Sequence, residues 1–179
     1  MTWNAAERVV PSGAIATAMM IVESLDGRVD ENDAETMEAL TVGIDRWGRE
    51  TLLEAFGLLV YTAMHVVHPE SEDEDQLHVI LPAIVSRFHK LQLSEVPDEA
   101  LPTVAGILTA ACLGLPPYGW RTTLGPINDR EGVVWCYTAW LVIDFIDNAV
   151  FGEKPGRFAE IMRETLDRGP EPDSEGQGR

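Results

Sequence analysis

A chain of 179 residues with 45% hydrophobic residues is long enough to form one globular domain around its own core. Its formal net charge of −17 creates a field that repels nucleic-acid phosphates, so direct nucleic-acid binding is disfavoured. The longest apolar run, Val133 to Ile143, is far below the roughly 18–20 residues that cross a bilayer, and no secretion signal is recognised at the start. We therefore expect a cytoplasmic protein without membrane association.

Apolar residues recur at helical spacing through most of the chain, which predicts an all-α fold without strands. Glycines, prolines and capping residues divide this pattern into segments. The predicted helices occupy about 12–25, 33–47, 49–68, 75–91, 98–112, 129–150 and 156–167.

Local signals set the first boundaries. Ser12 can cap the first helix, and Gly27 ends it. Asn32 or Asp33 can cap the second helix, which Gly48 ends. These residues predict two separate helices on either side of position 48.

Prolines and glycines shape the middle and the end of the chain. Pro69 stops the third helix, and Pro82 falls inside the fourth, where we expect a kink or a local break. The segment 114–126, GLPPYGWRTTLGP, holds three glycines and three prolines and is predicted to be a loop. Asn128 or Asp129 can cap the sixth helix. The acidic tail 169–179 has no apolar residue, and we expect it to be disordered.

The sixth helix, at about 129–150, is apolar nearly all round, which indicates a helix that others surround. We therefore predict a single bundle-like domain, residues 1–168, with six or seven helices packed around this hydrophobic central helix.

The stretch from His65 to His78, HVVHPESEDEDQLH, contains three of the four histidines and five acids. His68, Asp75 and His78 are its candidate metal ligands, because imidazole and carboxylate suit zinc or iron. On a helical wheel, however, His65 points about 170° away from the apolar stripe of its helix. Histidines that end one helix and acids that precede the next also complement the helix dipoles. A solvated corner is our interpretation, with a metal site and a pH-sensitive contact as alternatives.

Two acids, Asp144 and Asp147, lie within the apolar sixth helix, where a carboxylate is costly unless it is paired. Tyr137 and Trp140 share their helix face, so this face predicts a ligand pocket with aromatic walls and carboxylates at its mouth. The alternative is a structural ion pair with Arg121 from the preceding segment. A third interpretation is that the helix reaches the surface near Asp144.

Other candidate signals are weaker. Glu23 with Asp26 and Glu35 with Glu38 are acid pairs at i, i+3 spacing, but their order is the reverse of the magnesium-binding pairs in all-α nucleotide pyrophosphohydrolases, so no role carries over. Neither GxSxG, nor a Walker A loop, nor CxxC occurs in the sequence, which therefore indicates no catalytic residue and no cofactor. The two cysteines, 112 and 136, lie in apolar helices and are predicted to be core thiols.

The segment 114–126 carries Tyr118, Trp120 and Arg121, residue types that are favoured at binding hot spots. Tyr118 and Trp120 are therefore candidate partner contacts, with plugging of the bundle end by Trp120 as the alternative.

Residues 30–75 hold thirteen acids and two arginines, a balance of −11. This asymmetry predicts a non-enzymatic interaction protein that binds a protein partner with a basic surface. Its expected contacts include the Trp120 segment and Glu72, Asp73, Glu74 and Asp75. The alternative is a small-molecule or divalent-metal-binding protein, with hydrolase activity as one form, that uses Asp144 and Asp147. Homodimerisation through an uncovered apolar face stays open.

Overall fold

The computed structural model describes residues 9–30, 32–67, 78, 80–91, 98–149, 151–152 and 156–168, and these residues form helices and turns without a strand. The all-α prediction is confirmed. The helices in these ranges are α1 (Ser12–Leu25), α2 (Ala34–Val67), α3 (Leu81–Leu91), α4 (Leu101–Cys112), α5 (Pro117–Thr122), α6 (Asp129–Ala149) and α7 (Arg157–Arg168). The predicted tail, 169–179, lies outside the described residues.

Helix starts follow the sequence signals at two of three positions. The Asp33 side chain accepts a backbone N–H two residues on at 3.2 Å, and its hydrogen bond with the Thr36 hydroxyl lowers its pKa. Asn128 accepts a backbone N–H three residues on at 3.1 Å and caps α6. The prediction for Ser12 is wrong: Pro11 stands at the cap position, and Ser12 is the first helical residue.

The end of α1 is a turn that places two charged residues. Gly27 has φ 68°, a left-handed conformation that glycine adopts without strain. The N–H groups of Gly27 and Arg28 donate to the carbonyls of Ser24 and Glu23 at 3.0 and 2.9 Å, the paired bonds of a Schellman motif. The predicted end at Gly27 is confirmed. The motif fixes the backbone of Asp26 and Arg28 on either side of the glycine.

A backbone break at Gly48 divides α2. Gly48 has φ 68° and ψ 169°, a combination that is nearly restricted to glycine. The segments 34–47 and 49–67 therefore run as two helices across a kink, as the sequence predicts.

Two helices have a proline in their first turn. Residues 78 and 80 are π-helical and the regular α-helix α3 begins only at Leu81, which is a local break beside Pro82, as the sequence predicts. A first turn tolerates proline because its missing N–H has no partner within the helix. The segment 114–126 is not all loop. Pro116 stands at the cap position and Pro117 in the first turn of α5, where a fixed φ favours the helix.

The core forms where α6 meets α1, α2, α3, α4 and α7. Burial of each Leu, Ile or Val side chain in this core stabilises the folded state by roughly 1.5–3 kcal/mol relative to leaving it in water. The prediction that α6 is the central helix is confirmed, and α2 is its main partner. None of the described helices combines the length and the apolar character that crossing a membrane requires. The buried apolar residues of α6 are Val134, Trp135, Ala139, Leu141, Val142, Ile143 and Ile146.

Replacing Gly48 with alanine should lower the free energy of unfolding by about 1–3 kcal/mol, because a β carbon strains this backbone conformation. Gly132 is the matched control. A β carbon meets nothing within 4 Å at Gly48 and only the Arg49 side chain at 3.9 Å at Gly132. In α6, Gly132→Ala should be neutral or add up to about 1 kcal/mol. Urea unfolding followed by circular dichroism measures both, and equal stabilities would contradict a strained Gly48.

Candidate functional site

Asp147 is a buried carboxylate that caps another helix. Asp147 lies on the central helix α6 and is only 2% exposed. One oxygen accepts the backbone N–H of Phe158 at 2.9 Å, and the other accepts that of Gly156 at 2.7 Å. These amides belong to the start of α7, whose first N–H groups have no partner within the helix. Asp147 therefore takes the place of a local cap residue.

A network of hydrogen bonds joins Asp147 to the end of α1. The guanidinium of Arg28 lies 3.4 Å from Asp147 and also binds the carboxylate of Asp26. The indole N–H of Trp140 donates to Asp26 at 3.1 Å. The Tyr137 ring packs edge-on to Trp140, with 6.0 Å between ring centroids. Three of the predicted pocket residues therefore lie close together, and α1, α6 and α7 meet at this network.

The network leaves Asp147 little capacity for chemistry. Its two oxygens have three protein donors, two amides and Arg28. A buried carboxylate with such donors is stabilised in place, whereas a metal ligand or a general base needs a free oxygen that faces substrate or solvent. The arrangement is that of a structural network.

Asp144 is an ion-pair partner, but not of the predicted arginine. Its carboxylate binds Arg87 of α3 and accepts the Asn148 amide at 2.9 Å. The expectation of a pair with Arg121 is wrong, because Arg121 binds both carboxylate oxygens of Glu131 at 2.7 and 2.9 Å. Glu131 lies in the first turn of α6, about 20 Å along the helix from Asp144 at 1.5 Å per residue.

The aromatic residues of the 114–126 segment pack inward. Tyr118 is half-buried and lies edge-on to the buried Trp135, with 6.2 Å between ring centroids. The Trp120 ring covers Gly106 of α4 so closely that a β carbon there would lie 2.6 Å from it. Both side chains hold α5 against the bundle. Their role in binding a partner stays a prediction.

The histidine-rich stretch is described only in part. His68 and the acids 72–75 lie outside the described residues. His78 is exposed, and His65 stacks on Tyr61 with its Nδ1 2.8 Å from the Tyr61 carbonyl oxygen. Within the described ranges, no three His, Cys, Asp or Glu side chains form a group that could hold a metal ion.

Three residues of these networks carry no signature in the sequence analysis: Arg28, Arg87 and, as a hydrogen-bond partner, Asp26. One signal could have identified Arg28. It is the only basic residue between positions 9 and 45, and it follows the glycine that ends α1. A single arginine in an acidic stretch is a candidate partner for a buried carboxylate.

The chain matches no protein-family model, no curated protein and no solved structure at a significant level. Arguments about its function therefore depend on its own geometry and charge.

Asp147→Ala should lower the free energy of unfolding by about 2–4 kcal/mol, because it leaves two amides at the start of α7 without their acceptor and removes one of the two carboxylates that bind Arg28. Asp144→Ala is the matched control on the same helix. It should cost less, about 1 kcal/mol, since the Arg87 side chain is 41% exposed and regains water. Chemical denaturation measures both. Hydrogen exchange should show lost protection at Phe158 in Asp147→Ala alone; equal exchange in the two variants would disprove the capping role.

The Cys136 thiol should resist alkylation in the folded protein. Burial raises its pKa to about 12, so little thiolate is present near pH 8. Because the unfolded thiol titrates near its ordinary pKa of 9.0, this contribution to stability is present below that pH and is lost as pH rises towards about 12. Iodoacetamide labelling followed by mass spectrometry should modify Cys136 rapidly only in denaturant; rapid labelling of folded protein would contradict its burial.

Proposed function

We propose that this protein is a non-enzymatic interaction module that binds a basic surface of a protein partner through its acidic face, residues 30–75. The observation that carries the proposal is a solvent-facing row of acids on the first segment of α2. Glu35, Glu38 and Asp45 are exposed and follow each other at spacings of three and seven residues, which place them on one side of the helix.

The two arginines of the acidic face do little to neutralise it. Arg49 donates to the Ile127 carbonyl at 2.9 Å and pairs with Asp129, outside the face. Arg46 lies over the Trp47 ring, 4.7 Å from its centroid. Neither arginine pairs with an acid of the face among the described ion pairs, and the balance of −11 remains with both arginines counted.

The exposed acids are also unpaired where the structure describes them. Among the ion pairs between described residues, none involves Glu35, Glu38 or Asp45. Uncompensated surface charge of one sign accelerates encounter with an oppositely charged partner and rejects like-charged ones. It contributes to specificity and association rate more than to affinity.

The small-molecule or metal-binding alternative has weaker support. It requires a free carboxylate at Asp144 or Asp147, and protein donors bind both. Trp140, the proposed aromatic wall, uses its N–H for Asp26.

Affinity capture from the native host, followed by mass spectrometry, should recover a basic protein, and the captured partner then permits a quantitative test. The triple variant Glu35→Gln, Glu38→Gln, Asp45→Asn should weaken its binding by about tenfold, since exposed charges contribute up to about 1 kcal/mol each. Raising NaCl from about 0.05 to 0.5 M should weaken wild-type binding and affect the variant less. Titration calorimetry measures both effects.

The control variant removes three exposed acids elsewhere, Glu99→Gln, Glu160→Gln and Glu164→Gln. A further variant neutralises Glu72, Asp73, Glu74 and Asp75 and tests the other end of the acidic face. If partner binding is insensitive to salt and unchanged in both acidic-face variants, the proposal is wrong.

A further inference from the structure

One part of this strongly charged chain carries almost no charge. A quarter of the residues are charged, but in the 28 residues 101–128 the only charged side chain is Arg121. The extended range 101–132 adds Asp129, Arg130 and Glu131 and has no net charge, so the whole formal −17 belongs to the rest of the chain.

Arg121, the single cation of residues 101–128, is largely withdrawn from the surface. Arg121 and Glu131 form a two-bond ion pair, and their side chains are only 15% and 12% exposed. A third nitrogen of Arg121 donates to the Gly125 carbonyl at 3.1 Å. Three of the five N–H donors of Arg121 bind within the protein, and Glu131 neutralises its charge, so little attraction for an acidic partner remains.

The exposed side chains of residues 101–128 are apolar or uncharged, and three of them are leucines on either side of α5. Leu113, Leu115 and Leu124 are 56%, 43% and 65% exposed. Leu113 and Leu115 flank the turn that ends α4, and Leu124 follows α5, a helix of six residues that is about 9 Å long. We name these exposed residues the neutral surface: Leu113, Leu115, Thr122, Thr123, Leu124 and Pro126.

We propose that two copies of this chain associate through the neutral surface. The argument is electrostatic. Two molecules that each carry −17 repel one another through most of their surfaces, and like charges brought into contact are costly. The neutral surface permits close contact without that cost and offers leucines to bury, which is the composition of an interface centre.

The border of the neutral surface supports a self-association. At the start of α6, Asp129 pairs with Arg49 at 3.2 Å, and the exposed Arg130 follows it. Polar residues of both signs therefore stand beside the leucines, as at the rim of an interface. In a two-fold dimer the rim of one copy meets the rim of the other, so an arginine can face an aspartate.

Sedimentation equilibrium of the full chain tests the proposal. We expect a species with twice the 19.7 kDa of one chain. Dimerisation should strengthen or stay constant as NaCl rises from about 0.05 to 0.5 M, because salt screens the repulsion between the two copies. This sign is opposite to that expected for a basic partner at the acidic face, so the two proposals can fail independently.

Leu113→Glu and Leu124→Glu should each raise the dimer dissociation constant at least about tenfold, because they place like charges in the contact. Val42→Glu is the matched control. Val42 has the same 56% exposure as Leu113, receives the same charge, and lies on α2 outside the neutral surface. It should leave the dissociation constant nearly unchanged, and circular dichroism should show that all three variants are folded.

Three outcomes would overturn the proposal. The first is a wild-type protein that stays monomeric at the highest concentration measured. The second is a dimer that Val42→Glu weakens as much as the leucine variants do. The third is a dimer that dissociates as salt rises, which would indicate an ionic interface.

Discussion

The carboxylate of Asp147 is the constraint on which the arrangement of three helices depends. It is 2% exposed within the central helix α6, where an unpaired charge costs several kcal/mol. Its donors come from the first turn of α7 and from Arg28, just beyond α1. One side chain thus sets where α7 begins and how the end of α1 meets the core. The turn at Gly27 contributes to this arrangement because it places the Arg28 guanidinium 3.4 Å from the Asp147 carboxylate.

Local signals made the helices and the anomaly predictable, whereas partners distant in sequence were not. Gly48 breaks α2 as expected because only its own backbone conformation is involved. The proline in the first turn of α5, Pro117, suggested a loop, although a first turn accepts it. Asp147 is a predictable anomaly because it is an acid in an apolar helix. Its partner Arg28 lies 119 positions away, and only its isolation as the one basic residue between positions 9 and 45 marks it. The position of Arg121 in the segment before α6 favours it as a partner of Asp144, but Glu131 in the first turn of α6 binds it instead.

The positions of the arginines determine which parts of the surface are acidic and which are neutral. Arg28, Arg87 and Arg121 bind acids in partly buried positions, and Arg49 joins α2 to the start of α6. Arginines that pair with these acids do not neutralise the acids of residues 30–75, so the acidic face keeps its negative electrostatic potential. The neutral surface is possible for a related reason, since the one cation of its range is paired and largely withdrawn from solvent. The placement of the thirteen basic residues thus leaves one acidic face and one neutral surface on the same chain.

The hydrogen bond from Arg28 to Asp147 spans 119 positions in the sequence, and this has a consequence for synthesis on the ribosome. The turn after α1 emerges early, but its carboxylate partner follows only after most of the chain. The amides of Gly156 and Phe158, which satisfy that carboxylate, come later still. Because domains fold as units during translation, a nascent chain that lacks α7 holds an acid which it cannot bury at low cost. Completion of the fold therefore waits for the synthesis of α7, whose first amides satisfy the Asp147 carboxylate.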